Sequence, residues 1–285
     1  MTLTPSPDIL KPDMIDNPRL FRLNVRIRSA INPSADFAIY SPNIDNSLIY
    51  KSVACEATEG TITESSLRDA IYNNQLLLCD FQKISVLTEA TEYMLIPEPL
   101  AGDSELAERL LRQRFGSMKP DSAVIVNRVP GLNAAIVFGV DPAIYNLVNR
   151  AFNNPPIYSH FYPLLVYFAG LRRTGNRGAS FINVRQGVLD IILFKDDSLD
   201  IARTIPFRSI NDAIYYVLSY QAMTTDNLKG RILISGERDT RMQLVNGLKQ
   251  FVDSVMPVIF PSAIFKLGRT SMDEPFDLSI MPLCE

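Results

Sequence analysis

The chain has 285 residues, 47% of them hydrophobic and 21% charged, with a formal net charge of −3. That length supports one large core or two moderate ones, with two the better expectation. The near-neutral balance gives no overall pull toward nucleic acid or an anionic membrane. Cys55, Cys79 and Cys284 are far apart and odd in number. They read as reduced thiols in a cytoplasmic protein, not as a disulfide framework or a metal knuckle.

Residues 1–19 carry Pro5, Pro7, Pro12 and Pro18 among acids, with no apolar run. This reads as an extended arm, either disordered or packed along its own domain or a partner, and not as a secretory signal. In Phe21 to Arg28 the apolar residues Phe21, Leu23, Val25 and Ile27 share one face of a predicted strand, and Arg22, Asn24, Arg26 and Arg28 share the other. Three guanidinium groups do not belong in a dry layer, so that face is expected to meet solvent, an acidic partner or a cleft between lobes. Phe37 to Tyr40 and Leu48 to Val53 follow after turn-rich segments and complete an antiparallel meander.

Thr63 starts a helix through Leu67, Ala70 and Ile71 that runs on over Asn74 to Leu78. Lys83 to Glu89 and Tyr93 to Pro97 read as strands, and Asp103 opens a helix with Leu106, Leu110, Leu111 and Phe115 on one face. Ala123 to Arg128 and Asn133 to Val140 make a hairpin across Pro130-Gly131, and Pro142 sits in the first turn of a helix ending near Phe152. Ala151 to Leu171 lacks charge, but Asn153, Asn154, Pro155, Pro156, His160 and Pro163 disqualify it as a membrane span.

The second half repeats the opening order. Ser180 to Val184, Val188 to Phe194 and Leu199 to Ile205 are strands, then a helix spans Ser209 to about Met223. Arg231 to Ile234 is a strand, Thr240 to about Val252 a helix, and Val255 to Phe260 a last strand. Residue identity between the halves is low, so the repeat is one of pattern.

A three-stranded meander followed by alternating helices and parallel strands resembles the ribonuclease-H-like unit, and two in tandem resemble the actin, Hsp70 and sugar-kinase ATPase superfamily. More narrowly, with its closing Pro275-Phe276-Asp277 and Leu283-Cys284-Glu285, the chain is similar to an uncharacterised actin-like family of Bacteroidetes proteins. The resemblance implies an α/β fold of duplicated ribonuclease-H-like lobes, mixed sheets with helices on both faces. It places the first lobe at residues 20–155 and the second at 156–285. The layout also resembles pilus-assembly and type II secretion members that serve as scaffolds.

Superfamily members carry a second-lobe hairpin of the form Asp, apolar, three glycines, Thr, any residue, Asp, apolar. Here that register reads Asn183, Val184, Arg185, Gln186, Gly187, Val188, Leu189, Asp190, Ile191. Gly187 and Asp190 match. Asn183 replaces the acid that holds the Mg²⁺ water shell, Arg185 and Gln186 crowd the backbone cradle for phosphate, and Val188 cannot donate a hydrogen bond. In the first lobe Asn24, Arg26 and Arg28 stand where an Asp and a Gly are expected. The adenosine signature, a short apolar strand and two glycines, is half kept in Gly236 followed by Glu237. Single preorganised donors are worth about 3–4 kcal/mol each in a transition state, so losing metal and cradle together argues against ATP hydrolysis by the standard route.

Arg172, Arg173, Arg177 and Arg185 lie near Gly175 and Gly178 and offer a ring for an anion or partner, set against a plain solvated loop after a helix. His160, the only histidine, reads as structural, and no spacing supports a metal site. The aromatic pairs Phe161-Tyr162, Tyr167-Phe168 and Tyr215-Tyr216 read as core or interface and not as a platform for nucleic acid. The expectation is therefore a cofactor-free, non-catalytic pseudo-ATPase that binds another protein as a scaffold and has a possible homo-oligomeric state. The alternative is a nucleotide-binding switch or ATP-dependent enzyme with ATP and Mg²⁺ on a non-standard site in the interlobe cleft.

Overall fold

The computed structural model describes residues 9–29, 31–174, 179–185, 187–195, 198–224, 230–268 and 274–284. Alternating side chains over β1 (Arg22–Arg28), β2 (Ser34–Tyr40) and β3 (Ile49–Ala54) make the expected antiparallel meander, with Arg26 directly opposite Asp36. A small hairpin of β4 (Ala57–Thr58) and β5 (Thr61–Ile62) leads into α1 (Glu64–Tyr72), where the Thr63 side chain accepts from the Ser66 N–H. After α1 the segment Gln75–Leu78 is a 3₁₀ turn and not a continuation of the helix. The Asn74 side chain explains the break, since its Nδ2 donates to the Ala70 carbonyl and its Oδ1 accepts from the Leu10 N–H. The described part of the arm thus packs along its own domain, with Leu10 fully buried.

β6 (Lys83–Thr88) returns parallel to β1. The strands β7 (Tyr93–Pro97), β8 (Ala123–Arg128) and β9 (Ala134–Val140), with α2 (Ser104–Arg114) against them, form a separate sheet in the order β7-β9-β8. This insertion has its own apolar cluster around Ile96, Leu111 and Val137. α3 (Pro142–Phe152), capped by Asp141, leads to β10 (Ile157–Ser159), which pairs parallel to β6 and closes the first sheet in the order β10-β6-β1-β2-β3. Three residues are too few to show a period, so this strand escaped the sequence reading. It pairs in the first sheet although it follows the 155/156 division.

The long apolar helix α4 (Phe161–Arg173) then crosses to the second half. There β11 (Ser180–Arg185), β12 (Val188–Lys195), β13 (Ser198–Pro206), α5 (Ile210–Thr224), β14 (Ile232–Gly236), α6 (Arg238–Leu248) and β15 (Val255–Pro257) build a second five-stranded sheet, ordered β15-β14-β11-β12-β13. The two sheets have the same order, with the first strand of each meander at the centre. α7 (Ser262–Leu267), α8 (Phe276–Ser279) and a 3₁₀ turn at Met281–Leu283 complete the described chain.

One apolar cluster runs through both halves. Phe161, Leu165 and Phe168 of α4 join it to Phe181 of β11 and Phe276 of α8, and the Phe168 and Phe181 rings stack with centroids 4.6 Å apart. Burial of such side chains contributes about 1.5–3 kcal/mol each, so α4 is a principal source of adhesion between the sheets. Phe161, Tyr162 and Phe168 are core as expected, but Tyr215 on α5 is 66% exposed. Among the described residues no helix is long and apolar enough to cross a membrane.

Gly236, at the end of β14, has φ +100°, and a Cβ there would overlap the Val184 carbonyl oxygen of β11. The neighbouring Glu237 N–H donates to that same oxygen at 2.9 Å. Gly236→Ala is expected to lower stability in urea unfolding by about 3 kcal/mol or more, from left-handed strain plus displacement of β11. A loss below about 1 kcal/mol would contradict this packing.

Candidate functional site

Leu23-Asn24-Val25-Arg26 on β1 and Ile182-Asn183-Val184-Arg185 on β11 occupy matching places in the two sheets. Asn24 is in register with Ser85 of the parallel neighbour, and Asn183 with Ser235. Here the repeat is one of residues and not only of pattern, which the sequence alone did not disclose because matching requires the sheet register. The two arginines therefore leave equivalent points of the central strands and converge between the lobes.

They meet at Glu89, one residue beyond β6. Arg26 Nη2 donates to Glu89 Oε1 at 2.6 Å, and Arg185 Nη1 donates to the same oxygen. Arg26, only 1% exposed, also donates through Nε to Asp277 at 2.8 Å and through Nη1 to Asp36 at 3.3 Å. Arg185 forms a fork on Asp190, Nε to Oδ2 at 2.8 Å and Nη2 to Oδ1 at 2.7 Å. Asn183 Nδ2 donates to Asp190 Oδ2 at 3.0 Å, and Thr204 Oγ1 donates to Oδ1 at 2.8 Å. His160 Nε2 faces that Oδ1 and the Thr204 hydroxyl, each at 3.3 Å. The ring's Nδ1 is buried without a partner among the described residues.

These contacts set the charge states. Burial alone would raise the Asp190 carboxyl, but Arg185 and His160 outweigh it and hold Asp190 well below the usual carboxylate range. Burial likewise opposes charge on Arg26, and Asp277, Glu89 and Asp36 more than reverse it. Arg185 is raised in the same way, against burial, by Asp190 and Glu89. Burial, then Asp36, pushes the Tyr50 phenol up, so Tyr50 stays a neutral donor to Asp36 beside Ser34 and Ser52.

The structure thus places the arginine face of β1 in its own protein. Arg26 enters the cleft centre, Arg28 donates to Ser34 Oγ at 2.9 Å nearby, and Arg22 reaches Gln82 at the strand's other end. Arg172 and Arg173, offered with Arg185 as an anion ring, are engaged elsewhere. Arg172 is buried over the Phe194 ring, 4.5 Å from its centroid, and Arg173 donates to Ala169 of its own helix. Aromatic stacking and helix geometry claim these two cations. Arg177, Gly175, Gly178 and Gln186 lie outside the described residues. Gly187, at φ +71°, turns the β11–β12 hairpin, and Glu237 precedes α6, its side chain accepting from the Thr240 hydroxyl. Sequence reading passed over Asp36, Glu89, Thr204 and Asp277 as cluster members. Asp36 offered a weak signal as an acid opening an apolar strand, but Asp277 lies 251 residues from Arg26 and offered none.

The residues present do not fit Mg²⁺-ATP in the superfamily manner. Both Asp190 oxygens already accept from Arg185, the Asn183 side chain is held between Asp190 and Ser235, and Gly236 is pressed against β11 with no room to open a cradle. Among the described residues no group of three or more His, Cys, Asp or Glu is arranged to hold a metal ion.

Fold and site together define an α/β protein of the actin-like ATPase fold whose cleft centre is filled by its own ion pairs. A crystal structure of a Bacteroides thetaiotaomicron protein, described as having an actin-like ATPase fold and unknown function, matches with a TM-score of 0.74 at 22% identity. The match covers 95% of this chain and 100% of that one. The cytoplasmic domain of EpsL, an inner-membrane component of the Vibrio cholerae type II secretion system, matches at TM-score 0.47 and 12% identity over 90% and 97% of the two chains. The AlfA filament structure from Bacillus subtilis plasmid pLS32 matches at 0.40 and 12% over 93% and 98%. No curated protein sequence matches the chain. The chain belongs to the family described as protein of unknown function DUF3822, which matches residues 23–255.

Asp190→Asn tests the cluster. At pH 7 it leaves Arg185 short of its charge partner in a buried site, and the expected loss is about 3–5 kcal/mol in urea unfolding. A carboxyl depressed by folding contributes stability above its unfolded pKa of about 3.9, and that stability is lost as pH falls toward the folded value. The gap between wild type and variant should therefore narrow below about pH 4. A gap unchanged down to pH 2.5 would mean that Asp190 is not held ionised as described.

Proposed function

We propose that this chain is a non-catalytic actin-like binding or scaffold protein of the cytoplasm, a pseudo-ATPase whose two lobes are held at one closure angle. One observation carries the reading: Arg26 and Arg185, one from each lobe, share Glu89 at the centre of the cleft. Buried ion pairs are poor sources of net stability, because several kcal/mol of desolvation per ion offset the attraction. They are better suited to fixing geometry, and here the geometry fixed is the relation between the lobes. With its closure fixed, the protein presents constant surfaces to another macromolecule, and self-association belongs to the same reading.

A second reading rests on the space left beside the cluster. A cavity of about 350 Å³ between the lobes is lined by Arg28, Arg185, Gly236, Glu237, Arg238 and Glu274 among others. It lies at the small end of the range of about 300–1,000 Å³ for ligand pockets, and its arginines favour an anion. A nucleotide-gated switch would use this space and not the superfamily cradle.

Isothermal calorimetry with ATP and Mg²⁺, repeated with a non-hydrolysable analogue, separates the two. The scaffold reading expects no saturable heat up to about 1 mM nucleotide and no thermal shift, since binding at that strength already amounts to about 4 kcal/mol. One-to-one micromolar binding abolished by Arg238→Glu would reject it in favour of the switch.

A further inference from the structure

A second feature lies away from the ion cluster. β7 is the outer strand of the inserted sheet and β13 the outer strand of the second-lobe sheet, so each keeps one side without a strand neighbour among the described residues. These two edges line a common groove of about 890 Å³. Its apolar lining comes from both strands, from Phe115 after α2, and from Tyr216, Tyr220 and Met223 of α5, the last 73% exposed.

The edge of β13 is already making the bonds of a ladder. The Tyr93 hydroxyl accepts from the Thr204 N–H at 2.9 Å and donates to the Ala202 carbonyl at 3.4 Å. Those are the two bonds that a single residue of a neighbouring parallel strand would make across from Arg203. The main-chain groups of β13 therefore point into the groove and are met by a side chain in the position of a strand. The charges are uneven: among the described residues that line the groove are Arg114 and Arg203, with Asp200 the one acid beside them. Arg203 is steadied by the Tyr220 hydroxyl at 3.2 Å, and Arg114 lies 5.5 Å over the Phe115 ring. Edge strands are ordinarily blunted by lysine, proline or a bulge. β13 has Pro206 at its end and an unpaired Asp200 where its register with β12 shifts between Leu193 and Phe194, and Ile201–Ile205 between them carries no lysine, proline or bulge, only the charge of Arg203.

We propose that this groove binds an extended segment of a partner protein by strand addition along β13. The segment alternates apolar residues with at least one carboxylate. Its backbone replaces the Tyr93 hydroxyl at Ala202 and Thr204, its apolar side chains lie on Phe115, Tyr216 and Met223, and its acid meets Arg114 and Arg203. Main-chain bonds supply affinity and the alternate side chains supply selectivity, as in other strand-addition complexes. The proposal rests on the binding-protein reading and gives the partner a chemical class and a place.

The test pans a displayed library of random 12-residue peptides on the full chain and measures the enriched peptides by fluorescence anisotropy. Expected are sequences alternating apolar and polar residues with Asp or Glu, whose affinity falls about tenfold or more in both Arg203→Glu and Met223→Asp. Ile259→Asp, at an 83% exposed position off the groove, should leave them unchanged. Tyr93→Phe should tighten binding severalfold, because it removes the competitor for Ala202 and Thr204. The proposal is overturned by a library that yields no binder, by binders indifferent to both groove variants, or by weakened binding in Tyr93→Phe. Any of these leaves the scaffold reading to its nucleotide calorimetry. Nucleotide binding alongside groove-dependent peptides would instead remove the scaffold reading and keep the groove.

Discussion

Glu89 is the counter-ion of two arginines that come from different lobes, and much of the arrangement follows from that sharing. A guanidinium in a dry layer is tolerated only where carboxylates meet it on most sides. Arg26 gains its three from β2, the end of β6 and α8, so the meander, the crossover and the C-terminal segment must all be in place together. Arg185 takes one acid from its own hairpin and the other from across the cleft. Separating the lobes would leave one of the two cations without Glu89. The apolar helix α4 reinforces the same closure from behind, through stacking of Phe168 on Phe181.

The cluster and its surroundings also account for Gly187, Gly236 and Asp190. Gly187 serves a hairpin turn, Gly236 admits the Val184 carbonyl, and Asp190 holds Arg185 in place. Each of these residues has a packing or ion-pairing duty that is independent of nucleotide. Asn183 and Arg185 are themselves parts of the cluster, which acts as a structural joint between the lobes.

Much of the fold was legible in the sequence because its elements are long enough to show a period. The meanders, α1 to α3 and the second-half helices follow from alternation, helical spacing and start signals such as Thr63, Asp103 and Pro142. β10 was too short to show, and the Gln75–Leu78 turn is decided by Asn74 reaching Leu10, a contact between distant segments. The candidate site was half legible. Arg26 stood out as a cation on a strand that ought to be buried and Arg185 as a side chain crowding the hairpin, but their acids are scattered from Asp36 to Asp277 and show no spacing. Arg172 misled for a related reason: an arginine near a helix end looks solvated until Phe194 is seen beneath it.

The matching Asn-Val-Arg segments of β1 and β11 carry a consequence for the chain as a heritable unit. Arg26 and Arg185 leave equivalent points of the two central strands, yet they share a single carboxylate, Glu89, supplied by the first half alone. A lobe exchanged, duplicated or expressed alone would therefore bring a buried cation with no acid to receive it, or an acid with half its donors. The halves repeat each other in layout, yet at their centre they have become complementary parts that only work as a pair.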